Sequence, residues 1–216
     1  ICEMSLIATK EIEIEKEKLV SELNDSTHIL FTSSNGVDIF FEKIKSYDID
    51  IRSLCNKKIC VIGRGSSEAL KKYGINADFV PSKFDSKSFL EEILSKLDKN
   101  SRVLMLRAKL GNDNLPRGLR EVGIEFSDIP VYDTIIDYRR SFELNKEIKK
   151  FDYVVVASAS AAKALCEMIE DKTALLKRVV SIGPVTTKAL REFGIEELIT
   201  AKQYDVKGIV DAIKKL

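Results

Sequence analysis

Tryptophan is absent from these 216 residues, and histidine occurs once, as His28. A lone imidazole cannot build a histidine metal site, and it makes a Ser-His-Asp relay an unpromising reading. Cysteine is sparse: Cys2, Cys55, Cys60 and Cys166 show no CxxC spacing, and three of them sit in or beside apolar runs. They read as small buried hydrophobes in a reducing, cytoplasmic compartment. Charge of one sign is not in excess either. Lys+Arg 35 against Asp+Glu 34 offers no pull toward nucleic acid or a membrane surface. No apolar run is long enough to span a bilayer, and no signal peptide opens the chain. Any chemistry falls to hydroxyls, amides, basic side chains and carboxylates.

What the sequence does have is repetition. Residues 58–94 align without a gap on residues 178–214, at a constant offset of 120. Identical pairs include Ile62/Ile182, Gly63/Gly183, Ala69/Ala189, Leu70/Leu190, Gly74/Gly194, Ile75/Ile195, Asp85/Asp205, Lys87/Lys207 and Ile93/Ile213. Phe84/Tyr204 and Ser66/Thr186 are conservative. Upstream of each copy lies a second matching pair, ILFTSSNGV (29–37) and VVVASASAA (154–162). One supersecondary unit occurring twice implies two like domains.

Each copy reads as strand, helix, strand, helix, short strand, helix. Ile29–Thr32 and Ile59–Ile62 are apolar runs of strand type. Val37, Phe40, Phe41 and Ile44 recur at helical spacing. Ser66 begins a helix whose inner face is Ala69, Leu70 and Tyr73, stopped by Gly74. Phe79–Val80 is a short strand, and Phe89, Leu90, Ile93, Leu94 and Leu97 line the last helix. The second copy repeats this with strands 153–156 and 179–182. Its helical faces are Ala162, Leu165, Cys166 and Ile169, then Ala189, Leu190 and Phe193, then Ile209, Val210 and Ile213. Between the copies, Val103–Leu106 and Ile129–Tyr132 are strands flanking a helix lined by Leu115, Leu119 and Val122. Apolar strands alternating with helices mean parallel sheets covered on both faces.

The opening residues ICEMSLI resemble only the last strand of that middle piece, IPVYDTI. A strand is therefore expected there, and a further strand and helix are expected ahead of Ile1. The stretches 4–11 and 132–138 are expected to pair as a connector. The expected domains are residues 1–10 with 145–216, and residues 16–137.

The ordered set FTSSNGV, VIGRGSSEALKKYGI, VLMLRAKLGNDNLPRGLREVGI, IPVYDT, VVVASASAA and SIGPVTTKALREFGI resembles the uroporphyrinogen-III synthase family. The resemblance implies an α/β fold: two flavodoxin-like parallel-sheet domains related by duplication, joined by a two-stranded linker, with an interdomain cleft. It implies a cofactor-independent hydro-lyase that closes linear hydroxymethylbilane to uroporphyrinogen III, with loss of water and inversion of the last pyrrole ring. The family's tyrosine falls on Tyr132, its Gly-Pro-x-Thr motif on Gly183, Pro184 and Thr186, and that motif's counterpart on Gly63 and Ser66. Its strand-end serines fall on Ser33 and Ser158. Ser34 and Ala159 stand where the family often has proline, Ala108 where it has glycine, and Asn112 where a basic residue is common. Two rival readings stay open: a non-catalytic two-domain protein that binds tetrapyrroles or other small molecules, and one portion of a multifunctional tetrapyrrole-synthesis polypeptide.

The substrate so implied is a small polycarboxylate tetrapyrrole, and the chain is expected to be a monomer. Helix N-termini suit carboxylates, since they carry unpaired N–H groups and about half a positive charge. The expected termini are Ser33 to Asn35, Gly63 to Ser66, Ser158 to Ser160, and Gly183 to Thr186. Ser33, Ser66, Ser158 and Thr186 are also the residue types any helix takes as an N-cap, and Gly63 and Gly183 are common turn residues. Arg107 and Lys109, placed just past a strand end, are carboxylate partners or a solvated basic loop; Arg64 and Lys163 are weaker candidates. Tyr132 is the candidate catalytic acid, because a phenol stays protonated at neutral pH. A tyrosine at a sheet edge with a wet hydroxyl is its other reading. The Gly63–Gly65 pair lacks the third glycine of a dinucleotide fingerprint, with Glu68 in its place.

Overall fold

The computed structural model describes residues 1–82, 86–111, 113–176 and 178–215, with 86–89 as backbone. Phe84, Asp85 and Asn112, and the side chains of Lys87 and Phe89, therefore lie outside the described residues. The chain divides into two compact units, one of Ile1–Ala8 with Ile135–Leu216 and one of Thr9–Thr134. In order along the chain come β1 (Ile7–Glu11), α1 (Lys16–Asp25), β2 (His28–Phe31), α2 (Ser34–Ser46), β3 (Lys58–Val61) and α3 (Arg64–Lys71). Then follow α4 (Ser86–Leu94), β4 (Arg102–Ala108), α5 (Asn114–Glu121), β5 (Glu125–Ile136) and α6 (Ser141–Glu147). The last elements are β6 (Val154–Val156), α7 (Ala159–Met168), β7 (Val179–Ser181), α8 (Pro184–Glu192), β8 (Leu198–Thr200) and α9 (Val206–Ile213).

In the Thr9–Thr134 unit the sheet order is β1-β5-β4-β2-β3, with β3, β2, β4 and β5 parallel. The runs Ile29–Phe31 of β2 and Val103–Leu106 of β4 are apolar because both faces of these central strands are covered. Phe31, Leu104 and Leu106 face one cluster with Val37, Phe40, Phe41 and Leu70. Leu30, Val103 and Met105 face the other, with Leu115 and Leu119. The α2 face buries Val37, Phe40, Phe41 and Ile44, the spacing read in the sequence. Its rings pack edge-on, Phe31 to Phe40 at 5.3 Å and Phe40 to Phe41 at 5.2 Å. Lys43 is buried on the same helix and ion-pairs with Glu11 of β1.

The helix stops are of one kind. Gly74 has φ 73°, a left-handed conformation that only glycine adopts without strain. Ile75 N–H donates to Leu70 O at 3.2 Å and Gly74 N–H to Lys71 O at 3.0 Å, the paired bonds of a Schellman stop. Gly194, at φ 85°, closes α8 through Ile195 and Arg191 in the same way.

Two features distinguish β4 from β5. Their register shifts by one residue after Arg107, so that Arg107 pairs with Pro130 but Ala108 pairs with Tyr132. Consecutive residues Val131 and Tyr132 consequently both join the cluster that holds Ile129, where strict alternation would send them to opposite faces. The Arg107 guanidinium meets the Asp128 carboxylate in a two-pronged pair at 2.7 and 2.6 Å. That hydrogen bonding raises Arg107 above its ordinary value.

In the other unit β6, β7 and β8 form a parallel three-stranded sheet. Its registers repeat those of the first: Ile29 pairs with Ile59 and Val154 with Val179, while the bridge Cys60–Phe79 corresponds to Val180–Ile199. One core gathers Leu6, Leu144, Ala162, Leu165, Leu175, Val179 and Leu190. A second, under α9, holds Val180, Ala201 and Ile209.

Several expectations need correction. The stretch Phe79–Val80 makes a single bridge instead of a strand, with Val80 38% exposed. Val122 is 51% exposed, because α5 ends at Glu121 and the chain turns outward there. Val210 lies on the outer side of α9 and is exposed. The segment ICEMSLI forms no strand before Ile7; Leu6 is held instead by burial and by accepting from Asp137 N–H at 2.9 Å.

Burial pushes the Cys60 thiol up to about 12 and raises that of Cys166, while Cys2 and Cys55 are exposed. A thiol reagent should therefore label two cysteines rapidly in the folded protein and four in urea; a third fast thiol would contradict the packing. Asp128→Asn should cost about 2 kcal/mol, the worth of hydrogen bonds to a charged group less some relief from solvent at Asp128. The urea midpoint reads this directly, and an unchanged midpoint would show that the pair is not stabilising.

Candidate functional site

In the Thr9–Thr134 unit, β2 and β4 are neighbours although β3 follows β2 in the chain, so the strand order reverses between them. Ligands of open α/β sheets bind beyond the carboxyl ends of strands at such a reversal. Ser33 stands just past the end of β2. Its extended backbone, φ −155° and ψ 158°, lets Oγ cap α2 by accepting Gly36 N–H at 3.1 Å. The same oxygen lies 2.9 Å from the Tyr132 hydroxyl. Glycine at position 36 suits a close approach: a Cβ there would stand 3.3 Å from Leu106 O at the end of β4, so the neighbour would have to give by a few tenths of an ångström.

Tyr132 is 6% exposed on an inner strand of its sheet. The reading of a wet hydroxyl at a sheet edge is thus corrected: β1 covers that edge, and the register shift turns the ring inward. Lys109 is tied to it through the backbone, Lys109 N–H donating to Tyr132 O at 2.8 Å. The Lys109 ammonium is largely exposed, 4.0 Å from Asp133. Asn35 is exposed and donates from Nδ2 to Thr9 Oγ1 at 3.1 Å. Thr9 went unnoticed in the sequence, since its proximity depends on where β1 lies in the sheet.

Arg107 does not stand past the strand end as an open cation. It lies within β4, 8% exposed, committed to Asp128 with Asp113 at 3.5 Å. Gly63 caps α3 without a side-chain bond, and no described atom lies within 4 Å of where its Cβ would be. Ser66 is not the cap expected of it. The helix starts at Arg64, and Ser66 is 4% exposed inside the first turn. His28 opens β2 at the opposite end of the sheet, where burial holds its imidazole below the ordinary 6.5.

The unit of Ile135–Leu216 carries the remaining candidates. Ser158 caps α7 with the geometry of Ser33, φ −159° and ψ 159°, accepting Ala161 N–H at 3.1 Å. Ser160 is exposed in the first turn of that helix. Lys163 on α7 pairs loosely with Glu167 at 3.7 Å. Gly183 caps α8 ahead of Pro184, and a Cβ on it would press to 3.1 Å of the Tyr204 ring. Thr186, like Ser66, is no cap but a 3% exposed residue of the first turn. Both corrections share a cause: the preceding glycine takes the cap position and the helix begins early. Next to it, Ser181, Thr187 and Thr200 form a chain of hydroxyls, each contact 2.6 Å. Thr187 and Thr200 line an open cavity of about 510 Å³ with Pro184, Lys188, Arg191 and Glu192.

Comparison with known proteins places these observations. A profile described as "HEM4: Uroporphyrinogen-III synthase HemD" matches residues 2–211. The chain is 28% identical over 190 residues to "Porphyrin biosynthesis protein HemD" of Ruminiclostridium josui, covering 87% of this chain but 38% of that protein. The chain thus spans well under half the length of this relative. It is 32% identical over 166 residues to a "Putative uroporphyrinogen-III synthase" of Archaeoglobus fulgidus, covering 73% of this chain and 70% of the relative. Its fold is similar to the crystal structure of uroporphyrinogen-III synthetase from Helicobacter pylori, with TM-score 0.73 and 22% identity over 97% of this chain and 90% of the other. The motifs, the α/β architecture and the match along nearly the whole sequence agree, and the chain belongs to the uroporphyrinogen-III synthase HemD family.

Proposed function

We propose that this chain closes linear hydroxymethylbilane to uroporphyrinogen III, as a hydro-lyase that needs no cofactor. The observation that carries this is the family match over residues 2–211. The two units are then flavodoxin-like copies of one ancestor, linked through β1 and β5. The equivalent strand registers and the paired glycine stops support that descent.

Tyr132 is the proton donor. Its O–H bond breaks as the proton passes to the departing hydroxyl, the C–O bond breaks, and water leaves. The substituted carbon of the last ring then bonds to the methylene cation to give a spiro intermediate. The bond from that carbon to the neighbouring methylene bridge breaks, and that methylene bonds to the ring's free carbon, which gives up its proton. The proton released when pyrrole aromaticity is restored returns to the phenolate. Because the cation formed on the chain of pyrroles is highly reactive, the larger task is to hold the last ring in the inverting geometry. Such positioning contributes roughly 7–11 kcal/mol in favourable cases.

The carboxylates of the substrate meet amide groups at the starts of α2, α3, α7 and α8. Ser33, Asn35, Gly63, Ser66, Ser158, Ser160, Gly183 and Thr186 lie at these starts, and Lys109 adds an exposed ammonium. Arg107 contributes by holding the end of β4 through Asp128, instead of by binding an acid group itself.

Incubation with hydroxymethylbilane, oxidation and separation of porphyrin isomers should give isomer III well above the enzyme-free control. Isomer I alone would overturn the assignment in favour of a binding protein without turnover. Tyr132→Phe should lower kcat by at least about tenfold, toward the roughly hundredfold low end of general-acid assistance, with the circular dichroism spectrum preserved. Unchanged kinetics would return Tyr132 to a packing role.

A further inference from the structure

We propose that Ser33 is a positioning residue that acts through Tyr132, directing the phenol proton outward and stabilising the oxygen once that proton has left. The proposal rests on the reading of Tyr132 as proton donor.

The Ser33 hydroxyl has one hydrogen and two lone pairs. One lone pair is already committed to Gly36 N–H at 3.1 Å. The contact with Tyr132 at 2.9 Å runs in either direction. When Tyr132 donates, its proton is occupied and Ser33 accepts twice. When Ser33 donates, the phenol proton is free for a departing hydroxyl. After transfer only the second arrangement exists, because a phenolate has no hydrogen to give. The Gly36 amide and the positive end of α2 then polarise Ser33 toward the phenolate oxygen, a short chain of bonds that strengthens as charge develops.

Two independent features show that this contact is more than an accident of capping. Ser158 caps α7 with nearly the same backbone angles and the same 3.1 Å bond, yet no tyrosine hydroxyl meets it among the described residues. Capping alone therefore does not require the second bond. The tyrosine that meets Ser33, in turn, sits where the β4–β5 register shifts. A parallel ladder rarely gives up its regularity in this way, and here the shift delivers one hydroxyl to one serine.

The test uses the intact protein with hydroxymethylbilane. Ser33→Gly removes the hydroxyl while leaving the residue best tolerated at a helix N-cap after the usual polar ones. Its kcat should fall about tenfold, the scale of one hydrogen bond to a charged partner, and by no more than in Tyr132→Phe, with KM within about twofold on that same scale. Ser33→Thr, which keeps cap and hydroxyl, should recover most of the rate. Ser33→Gly combined with Tyr132→Phe should be no slower than Tyr132→Phe alone. Full kcat in Ser33→Gly, a change confined to KM, or losses that multiply in the double variant would each overturn the positioning role while leaving the donor intact. Tyr132→Phe at full rate would instead remove the donor, and the positioning role with it. Urea midpoints of the single variants confirm that the rates compare folded proteins.

Discussion

The parallel pairing of β2 with β4 is the constraint on which the rest of the larger unit depends. Four pairs, from His28–Val103 to Phe31–Leu106, align two strands that the chain visits far apart. Both strands must be apolar on each face, since helices cover them from both sides. Their shared direction brings Ser33 and the end of β4 to the same rim. The first turn of α2 then packs so tightly on Leu106 O that position 36 admits no side chain without adjustment.

Much of this was legible in the sequence, for simple reasons. The helical spacing of Val37, Phe40, Phe41 and Ile44 is set by the geometry of one buried face. Gly74 and Gly194 mark helix stops because their left-handed backbone strains residues that carry a Cβ and so favours glycine. The serine caps at 33 and 158 follow from the need to satisfy the first amides of α2 and α7.

Other features depend on relations between distant residues, and no local pattern encodes them. The register shift is one, since IPVYDT reads as an ordinary strand until its neighbour is known. The Arg107–Asp128 pair is another. A basic residue near a strand end looks available for ligands until the carboxylate on β5 is placed beside it. Ser66 and Thr186 were misread for a local reason: a helix that begins at glycine leaves the following hydroxyl inside its first turn. Extended backbone at Gly63 and Gly183 performs the turn without any cap side chain.

The strand β1 is fastened twice to one helix. Thr9 accepts from Asn35 at the start of α2, and Glu11 pairs with the buried Lys43 about two turns further along. These ties span most of the helix and bracket its rigid aromatic face. Since β1 is also the segment by which the polypeptide enters this unit, the incoming backbone is anchored to α2 at two points instead of joining it through a loose loop. The first of those anchors lies two residues from Ser33, at the terminus where that serine meets Tyr132.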